Sequence, residues 1–385
     1  METKQPTFSE DLSFLSRHTD VVLLTDSAGT AQVVVIPNMQ ARVMTSTLAG
    51  PGGLSLGWIN KELIASGKIL PHFNPYGGED RFWLGPEAGQ FGIFFKKDFP
   101  FDLDNWYTPS AIDTEPFDLV ARDGDGASFK KSIRLENYSG TQFNLEVERE
   151  IRLLGFSEMA IKLGISPDAA IQAVAYQSDN KITNTGRTAW EKESGLLSIW
   201  ILGMFNPSPT TTVVIPFRDG DEENLGPIVN DTYFGKVPSD RLAIAKGMLY
   251  FKGDGKYRSK IGLSPQRAKP ILGSYDETNQ VLTLVQYTKP EGAVDYVNSM
   301  WEIQSKPYGG DVVNSYNDGP PEPDAKPLGP FYELETSSRA AELNPGESLS
   351  HIHLTFHFKG PENKLDEISE ATLGVSVQEI KFAFK

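Results

Sequence analysis

Short apolar segments separated by turn residues recur along most of the chain. Val21–Leu24, Gln32–Ile36 and Val281–Tyr287 are rich in β-branched residues, which favours β-strands. In Phe143–Leu153 apolar and polar positions alternate, as is typical of a strand with one buried face. The same features predict further strands at Ala41–Ser46, Ala173–Tyr176, Leu196–Leu202, Thr211–Pro216, Phe331–Thr336 and His351–Phe358.

Helical patterns are rare. Short helices are predicted at Phe8–Ser16, Ile59–Gly67 and Pro361–Ala371, and the Pro-Glu-Asn start of the last suits a helix N-terminus. Many short strands, without helices between them and without a fixed-period repeat, predict an all-β fold built as a large antiparallel sandwich. We expect one domain over residues 1–385, with its core at about residues 20–360 and a short helix and strand over residues 361–385.

The charge balance changes which partners are plausible. Lys and Arg number 36 against 51 Asp and Glu, for a net charge of -15, so the protein repels nucleic-acid phosphates and anionic membrane surfaces. We therefore predict no nucleic-acid partner and no membrane partner. Cysteine is absent, which excludes disulfides and thiolate chemistry.

The compartment and the assembly state are open at this stage. No apolar run is long enough to span a bilayer, and the first eleven residues lack the features of a signal peptide. We expect a soluble protein, either cytoplasmic or, if a signal was removed, periplasmic. The sequence carries no indication of the oligomeric state.

The segment Gly77–Phe91 mixes glycines, charges and aromatics within a few positions. Glu79, Asp80 and Arg81 stand beside Trp83, and Glu87 follows. Charged groups are rarely placed beside bulky aromatics on a core strand unless they have partners there. An arginine flanked by carboxylates and an aromatic side chain suits a polyhydroxylated ring, so we predict that these five residues contact a ligand in a binding groove.

Two carboxylates share one face of the predicted strand Phe331–Thr336. Period-2 alternation places Phe331, Glu333 and Glu335 together. Neighbouring carboxylates perturb each other's pKa, and a raised pKa suits proton transfer. The alternative is an ordinary solvent-facing side of an antiparallel strand. The proline-rich segment Asp318–Pro330, which precedes this strand, favours a functional site because a strandless loop of that length is usually functional or disordered.

Histidines are concentrated on the last predicted strand. His351, His353 and His357 share one face of it. Such a pair of strand histidines can hold a divalent metal if a neighbouring carboxylate completes the site. The alternatives are a sugar contact by one histidine or a plain polar face. His72, in a loop ahead of Gly77–Phe91, is a candidate for ligand contact or acid–base chemistry, with a simple surface role as the alternative.

One basic segment is predicted to be a cationic turn. Phe251–Lys260 is rich in glycine and lysine but lacks a phosphate-binding motif and precedes no helix, so nucleotide binding is not expected. A cationic turn of this kind can meet an acidic sugar or a structural carboxylate.

Several of these motifs resemble those of a known superfamily. The Gly77–Glu87 motif and the run Pro330–Thr336 are similar to those of a bacterial branch of the galactose mutarotase-like (aldose 1-epimerase-like) superfamily. Thr183–Gly186 ahead of a strand and Leu343–Glu347 ahead of the histidine strand resemble features of the epimerases themselves. The resemblance implies a β-supersandwich with a sugar-binding groove across one sheet.

The resemblance also implies roles for single residues. Glu335 best matches the family base that takes a proton from the anomeric hydroxyl, with Glu333 second, and Arg81 matches the arginine that holds sugar hydroxyls. The segment Ile201–Asn206 has no histidine where epimerases place their acid. His72, or one of His351 and His353, would have to substitute.

The sequence therefore predicts a carbohydrate-binding protein with Glu335, Glu333 and His72 as acid–base candidates. Sugar contacts are predicted for Glu79, Asp80, Arg81, Trp83, Glu87, His351 and His353. One alternative is an active epimerase, glycoside hydrolase or lyase with Glu335 as base, and another is a non-enzymatic structural or interaction protein. No cofactor is predicted, with a divalent metal as the alternative.

Overall fold

Antiparallel sheets account for most of the regular secondary structure in the computed structural model, which describes residues 5–166, 168–292, 294–322 and 324–385. The strands are β1 (Val22–Thr25), β2 (Gln32–Ile36), β3 (Arg42–Thr47), β4 (Arg81–Gly85), β5 (Asp118–Arg122), β6 (Gly126–Glu136), β7 (Gln142–Leu153), β8 (Gln172–Asn184), β9 (Ser198–Phe205), β10 (Thr211–Pro216), β11 (Leu242–Ala245), β12 (Met248–Lys252), β13 (Ser259–Leu263), β14 (Ile271–Asp276), β15 (Val281–Tyr287), β16 (Val313–Asn317), β17 (Tyr332–Ser337) and β18 (Ser348–Lys359). The helices are α1 (Phe8–His18), α2 (Lys61–Ser66), α3 (Phe156–Leu163), α4 (Glu222–Leu225), α5 (Glu362–Thr372) and α6 (Val377–Phe382).

The strands form sheets of ten, five and three strands. The ten-stranded sheet has the order β11-β12-β10-β14-β15-β18-β8-β7-β6-β5, the five-stranded sheet β13-β16-β17-β9-β4, and the three-stranded sheet β1-β2-β3. The predicted all-β fold with large antiparallel sheets is confirmed. Each strand predicted from β-branched and alternating residues is present, with bounds that differ by up to three residues, except that the strand predicted at Ala173–Tyr176 continues to Asn184 in β8.

The two larger sheets pack face to face. Phe205 and Leu334 of the five-stranded sheet share an apolar cluster with Leu272 and Val285 of the ten-stranded sheet. Polar contacts also cross this layer, because Tyr332 of β17 hydrogen bonds to a side chain of β14. The inner face of the five-stranded sheet is therefore buried, and its outer face remains available for a site.

Helices cover the other face of the ten-stranded sheet. Leu354, Phe356 and Phe358 of β18 pack against Leu365 of α5 and Val377 of α6. The predicted helices are confirmed, with bounds that differ by a few residues at either end. None of the helices in the described ranges has the length and hydropathy that a bilayer crossing requires.

The predicted strand within residues 361–385 is wrong. This segment forms the helices α5 and α6. Ser376 caps α6 because its side chain accepts a hydrogen bond from the backbone of Glu379, while the Glu379 side chain reaches back to Ser376. That reciprocal capping box fixes a helix start. The assignment of residues 1–385 to one domain stays a prediction.

Candidate functional site

A cavity of about 640 Å³ lies on the outer face of the five-stranded sheet. Every strand of that sheet contributes lining side chains, among them Arg81 of β4, Trp200 of β9, Glu333 of β17, Asn314 of β16 and Lys260 of β13. Because side chains alternate between the two faces of a strand, the apolar residues between these positions fill the core. The cavity is within the size range of small-molecule sites.

Loops build the walls of the cavity. Trp106 lies in the loop after β4, while Met300 and Trp301 lie in the loop before β16. The proline-rich segment Asp318–Pro330 forms another wall, through Asp318, Gly319, Pro321, Lys326 and Leu328, and its Pro323 is outside the described residues. Aromatic and apolar side chains thus surround a floor that carries charges.

Asp318 fastens the proline-rich wall. Its Oδ1 accepts a hydrogen bond from Tyr316 Oη at 2.8 Å, and its Oδ2 accepts one from the backbone N–H of Gly329 at 2.9 Å. Burial raises the pKa of the Asp318 carboxyl. One side chain therefore joins both ends of this loop to strand β16.

Arg81 has N–H groups that make no hydrogen bond within the described chain. Only 2% of the residue is exposed, and its Nη2 donates to Glu333 Oε1 at 3.1 Å. The guanidinium lies 4.2 Å from the ring centre of Trp83 and 5.3 Å from that of Phe73. Its Nε and Nη1 have no hydrogen-bond partner among the described residues. Since buried donors are normally paired, these two N–H groups suit a bound ligand.

Glu335 lies beneath the cavity floor, next to the lining residues Lys260 and Trp200, and is paired with a cation. Its Oε2 accepts hydrogen bonds from Lys260 Nζ and from Trp200 Nε1, each at 3.0 Å. The Lys260 ammonium also lies 4.9 Å from the ring centre of Trp200 and 5.5 Å from that of Tyr233. The Oε1 atom of Glu335 is buried and has no partner in the described part of the chain. It is an acceptor of the kind that a hydroxyl group satisfies.

Two carboxyl groups that line the cavity, Glu87 and Glu333, have raised pKa values. Burial raises the pKa of Glu87 to about 7, and the positive charge of Lys260 opposes this shift. Burial also raises the pKa of Glu333; Arg81 opposes that shift and the negative charge of Glu335 adds to it. The cavity is therefore lined by two carboxyl groups with raised pKa values, and the lysine-paired Glu335 lies beneath them. Carboxyl groups held at different pKa values are what acid–base chemistry needs.

A further carboxyl group lies towards the β13 edge. Asp311 Oδ2 accepts hydrogen bonds from Tyr233 Oη at 2.7 Å and from Asn230 Nδ2 at 3.2 Å. Asn314 Nδ2 donates to Tyr233 Oη at 3.1 Å. Burial raises the pKa of Asp311. This network holds the Tyr233 ring at the cavity, where it contacts Lys260.

Glu79 and Asp80 lie between the sheets, which corrects the prediction that they line the groove. Glu79 accepts hydrogen bonds from the backbone N–H of Ser46 at 2.6 Å and from Tyr176 Oη at 3.1 Å, and it pairs with His357 Nε2 at 3.1 Å. Asp80 pairs with Arg149. The backbone of Glu79 and Asp80 passes beside β3, where Asp80 bridges to that strand, before β4 starts.

His351 and His353 also lie in this interior, not in the cavity. Thr336 Oγ1 is 2.8 Å from His351 Nε2 and 2.9 Å from His353 Nδ1. Burial lowers their pKa values, to about 3 for His351 and about 4 for His353. In the described residues no group of three His, Asp or Glu side chains could hold a metal ion. Their shared strand face is the inner face of the ten-stranded sheet, because Ile352 and Leu354 point to the helices.

His72 lies beside the cavity and does not line it. Its Nδ1 is 2.7 Å from the carbonyl oxygen of Trp106, and its ring stacks on Tyr107 at 4.2 Å. Trp106 itself lines the cavity. His72 therefore supports the loop that carries a wall residue.

Of the predicted site residues, the structure brings Arg81, Trp83, Glu87 and Glu333 together at the cavity and places Glu335 beneath them. Sequence reasoning missed the wall and floor residues Trp106, Trp200, Tyr233, Lys260, Trp301 and Asp311. One usable signal was present, because a tryptophan in a segment with no strand pattern, such as Trp106 or Trp301, has no core strand to belong to. The strand pairing that brings Lys260 to Glu335 has no local signature.

The family profile that matches this chain spans residues 6–384. The chain belongs to the family of unknown function DUF6786. A comparison of this DUF6786 chain with curated proteins gives no significant match.

Solved structures resemble the chain over most of its length. Slr1438 from Synechocystis sp. PCC 6803 shares 13% identity at a TM-score of 0.51, covering 89% of this chain and 96% of that one, which shows a shared fold. A galactose mutarotase-like protein from Lactobacillus casei ATCC 334 matches at a TM-score of 0.49 and 10% identity, covering 88% and 100%. A galactose mutarotase related enzyme from Lactobacillus acidophilus matches at 0.46 and 9%, covering 89% and 97%.

Proposed function

We propose that this protein binds a carbohydrate in the cavity on the five-stranded sheet. The observation that carries the proposal is the combination, in one cavity, of aromatic walls with buried charged groups whose hydrogen bonds are incomplete. A sugar ring presents C–H faces that pack on aromatic rings and hydroxyl edges that need donors and acceptors. The motif resemblance to the galactose mutarotase-like superfamily points to the same ligand class.

The floor offers both kinds of hydrogen bond. Arg81 donates from Nε and Nη1, and Glu335 accepts at Oε1. Charge-assisted hydrogen bonds of this kind are among the stronger ones in proteins. Trp83 is only 4% exposed and Arg81 packs on its ring, so the half-buried Trp301 is the better stacking surface.

A thermal-shift screen tests this proposal. The wild type is heated with neutral monosaccharides, disaccharides and acidic saccharides, each with Mg²⁺ and with EDTA. We expect at least one saccharide to raise Tm, because a ligand that binds only the folded state stabilises it. The same saccharide should fail to stabilise Trp301→Ala and should still stabilise Phe382→Ala, in which an exposed phenylalanine of α6 is removed. A flat response of the wild type to all saccharides would overturn the proposal.

A second candidate function is acid–base chemistry on the bound sugar. The observation that favours it is the pKa of Glu87, raised to about 7 by burial at the cavity beneath which Glu335 lies. Glu335 would take a proton from a sugar hydroxyl, and Glu87 or Glu333 would donate one. An epimerase, a glycoside hydrolase and a lyase all use such a division of roles.

The variant Glu335→Gln separates binding from turnover. Each saccharide that shifts Tm is incubated with the wild type, and its ¹H NMR spectrum is followed for anomeric exchange, hydrolysis or elimination. We expect turnover by the wild type and its loss in Glu335→Gln, while the thermal shift remains. Unchanged sugar spectra with the wild type would reject the enzymatic candidate and leave carbohydrate binding standing.

A further inference from the structure

The cavity extends across the whole five-stranded sheet. β4 and β13 are the two edges of this sheet, and both contribute lining residues, Arg81 at one edge and Lys260 at the other. Neighbouring strands lie about 4.8 Å apart, so four spacings separate these edges by roughly 19 Å. The floor is therefore much longer than one sugar ring.

The volume leads to the same conclusion. A hexose has about twelve non-hydrogen atoms, and each takes up less than the ~30 Å³ share of a water molecule, so one hexose fills less than ~360 Å³. The cavity measures about 640 Å³. A single ring would leave a large part of an aromatic-lined space filled by water alone.

A second aromatic surface lies at the β13 end, away from Trp106 and Trp301. Phe234 lines the cavity there and is 45% exposed. The Arg258 guanidinium lies 3.9 Å from its ring centre, and the Tyr316 ring meets it edge-on at 5.9 Å. Exposure of a phenylalanine ring to water is unfavourable. The contacts with Arg258 and Tyr316 hold the Phe234 ring in one orientation. A fixed, solvent-exposed ring inside a cavity suits a stacking partner.

We infer that the cavity binds an oligosaccharide of at least two rings, laid across the strands. One ring lies at the β4 end, between Arg81, Glu335 and Trp301. A neighbouring ring stacks at the β13 end on Phe234. The inference rests on the proposed carbohydrate function and adds the chain length of the ligand.

Titration calorimetry with matched sugar series tests the inference. The probes are glucose, cellobiose and cellotriose; glucose, maltose and maltotriose; galactose and β-1,4-galactobiose; and mannose and β-1,4-mannobiose. Each is titrated into the wild type, Phe234→Ala and Phe382→Ala. Phe382 is a matched control because it is 52% exposed and carries a lysine, Lys385, 4.5 Å from its ring centre, on a helix outside the cavity.

The wild type should bind one disaccharide or trisaccharide at least tenfold more tightly than its monosaccharide. Phe234→Ala should weaken that longer sugar about fivefold to tenfold, the effect of losing one stacking contact, and should leave the monosaccharide unchanged, while Phe382→Ala changes neither. Equal affinity for all lengths, or an equal loss for all lengths in Phe234→Ala, would overturn the inference and leave carbohydrate binding intact. No binding of any sugar would overturn both.

Discussion

Adjacent residues of one motif enter two very different environments. Asp80 lies between the sheets, where Arg149 pairs with its carboxylate and Ser178 Oγ donates to it at 2.7 Å. Arg81, the next residue, borders the cavity and keeps two N–H groups without a partner in the described chain. Both residues are at least 98% buried. Burial of a charge therefore does not distinguish a structural network from a binding site, whereas incomplete hydrogen bonding beside a cavity does.

The largest expected effect comes from breaking the interior pair. Arg149→Met should lower the free energy of unfolding by about 3–5 kcal/mol, because it leaves the carboxylate of Asp80 buried without its cation. Urea unfolding at pH 7 measures the change. A loss below about 1 kcal/mol would show that the interior network tolerates an uncompensated charge and would remove the contrast with the cavity.

The interior histidines should make the protein sensitive to acid. Burial lowers the pKa of His353 to about 4, with Arg149 adding to the shift and Asp80 opposing it. Between pH 6.5 and pH 4 the unfolded state binds a proton that the folded state excludes, so this residue reduces stability as pH falls. When the pH falls from 7 to 4.5, the free energy of unfolding should decrease by roughly 2–3 kcal/mol less in His353→Gln than in the wild type. Urea unfolding at both pH values measures the difference. Parallel losses would contradict this.

Glu87, at the cavity, should give the stability the opposite dependence on pH. Burial raises its pKa from 4.5 to about 7. Between these values the folded state keeps a proton that the unfolded state has lost, so this residue reduces stability as pH rises. When the pH rises from 5 to 8, the free energy of unfolding of Glu87→Gln should increase by roughly 1–3 kcal/mol relative to that of the wild type, since one pKa unit corresponds to about 1.4 kcal/mol. A stability difference that does not vary with pH would reject this assignment.

The smallest expected effect comes from breaking the cavity pair. Lys260→Met removes the ammonium group from Glu335, but Lys260 borders the open cavity with 13% of its side chain exposed. Water can then hydrate Glu335, so we expect a loss of only about 1–2 kcal/mol. Urea unfolding of Lys260→Met and Arg149→Met under the same conditions compares the two losses of stability. Equal losses in the two variants would mean that the cavity floor is as closed as the interior.

Local patterns predicted much of this structure. β-branched runs and period-2 alternation located ten of the eighteen strands in the described chain, and alternation alone placed Glu333 and Glu335 on one face. The same alternation grouped His351 and His353, but it did not show that their face is turned inward, towards Thr336. Sheet packing decides which face of a strand borders a cavity, and sheet packing depends on contacts between residues far apart in the sequence.

The residues that sequence reasoning missed share this cause. Lys260 reaches Glu335 because β13, β16 and β17 are neighbours in one sheet, although the two residues are 75 positions apart. The sequence predicts Phe251–Lys260 as a cationic turn able to meet an acidic sugar or a structural carboxylate; Lys260 lies on β13 and meets the carboxylate of Glu335. Trp106 and Trp301 come together from separate loops, 6.1 Å between ring centres.

A crystal structure with the saccharide that gives the largest thermal shift tests the central claim most directly. We expect a sugar on the outer face of the five-stranded sheet, with a ring oxygen or hydroxyl within hydrogen-bond distance of Arg81 or Glu335 and a ring packed on Trp301. A saccharide bound anywhere else on the protein, or an empty cavity at a concentration that saturates the thermal shift, would contradict it.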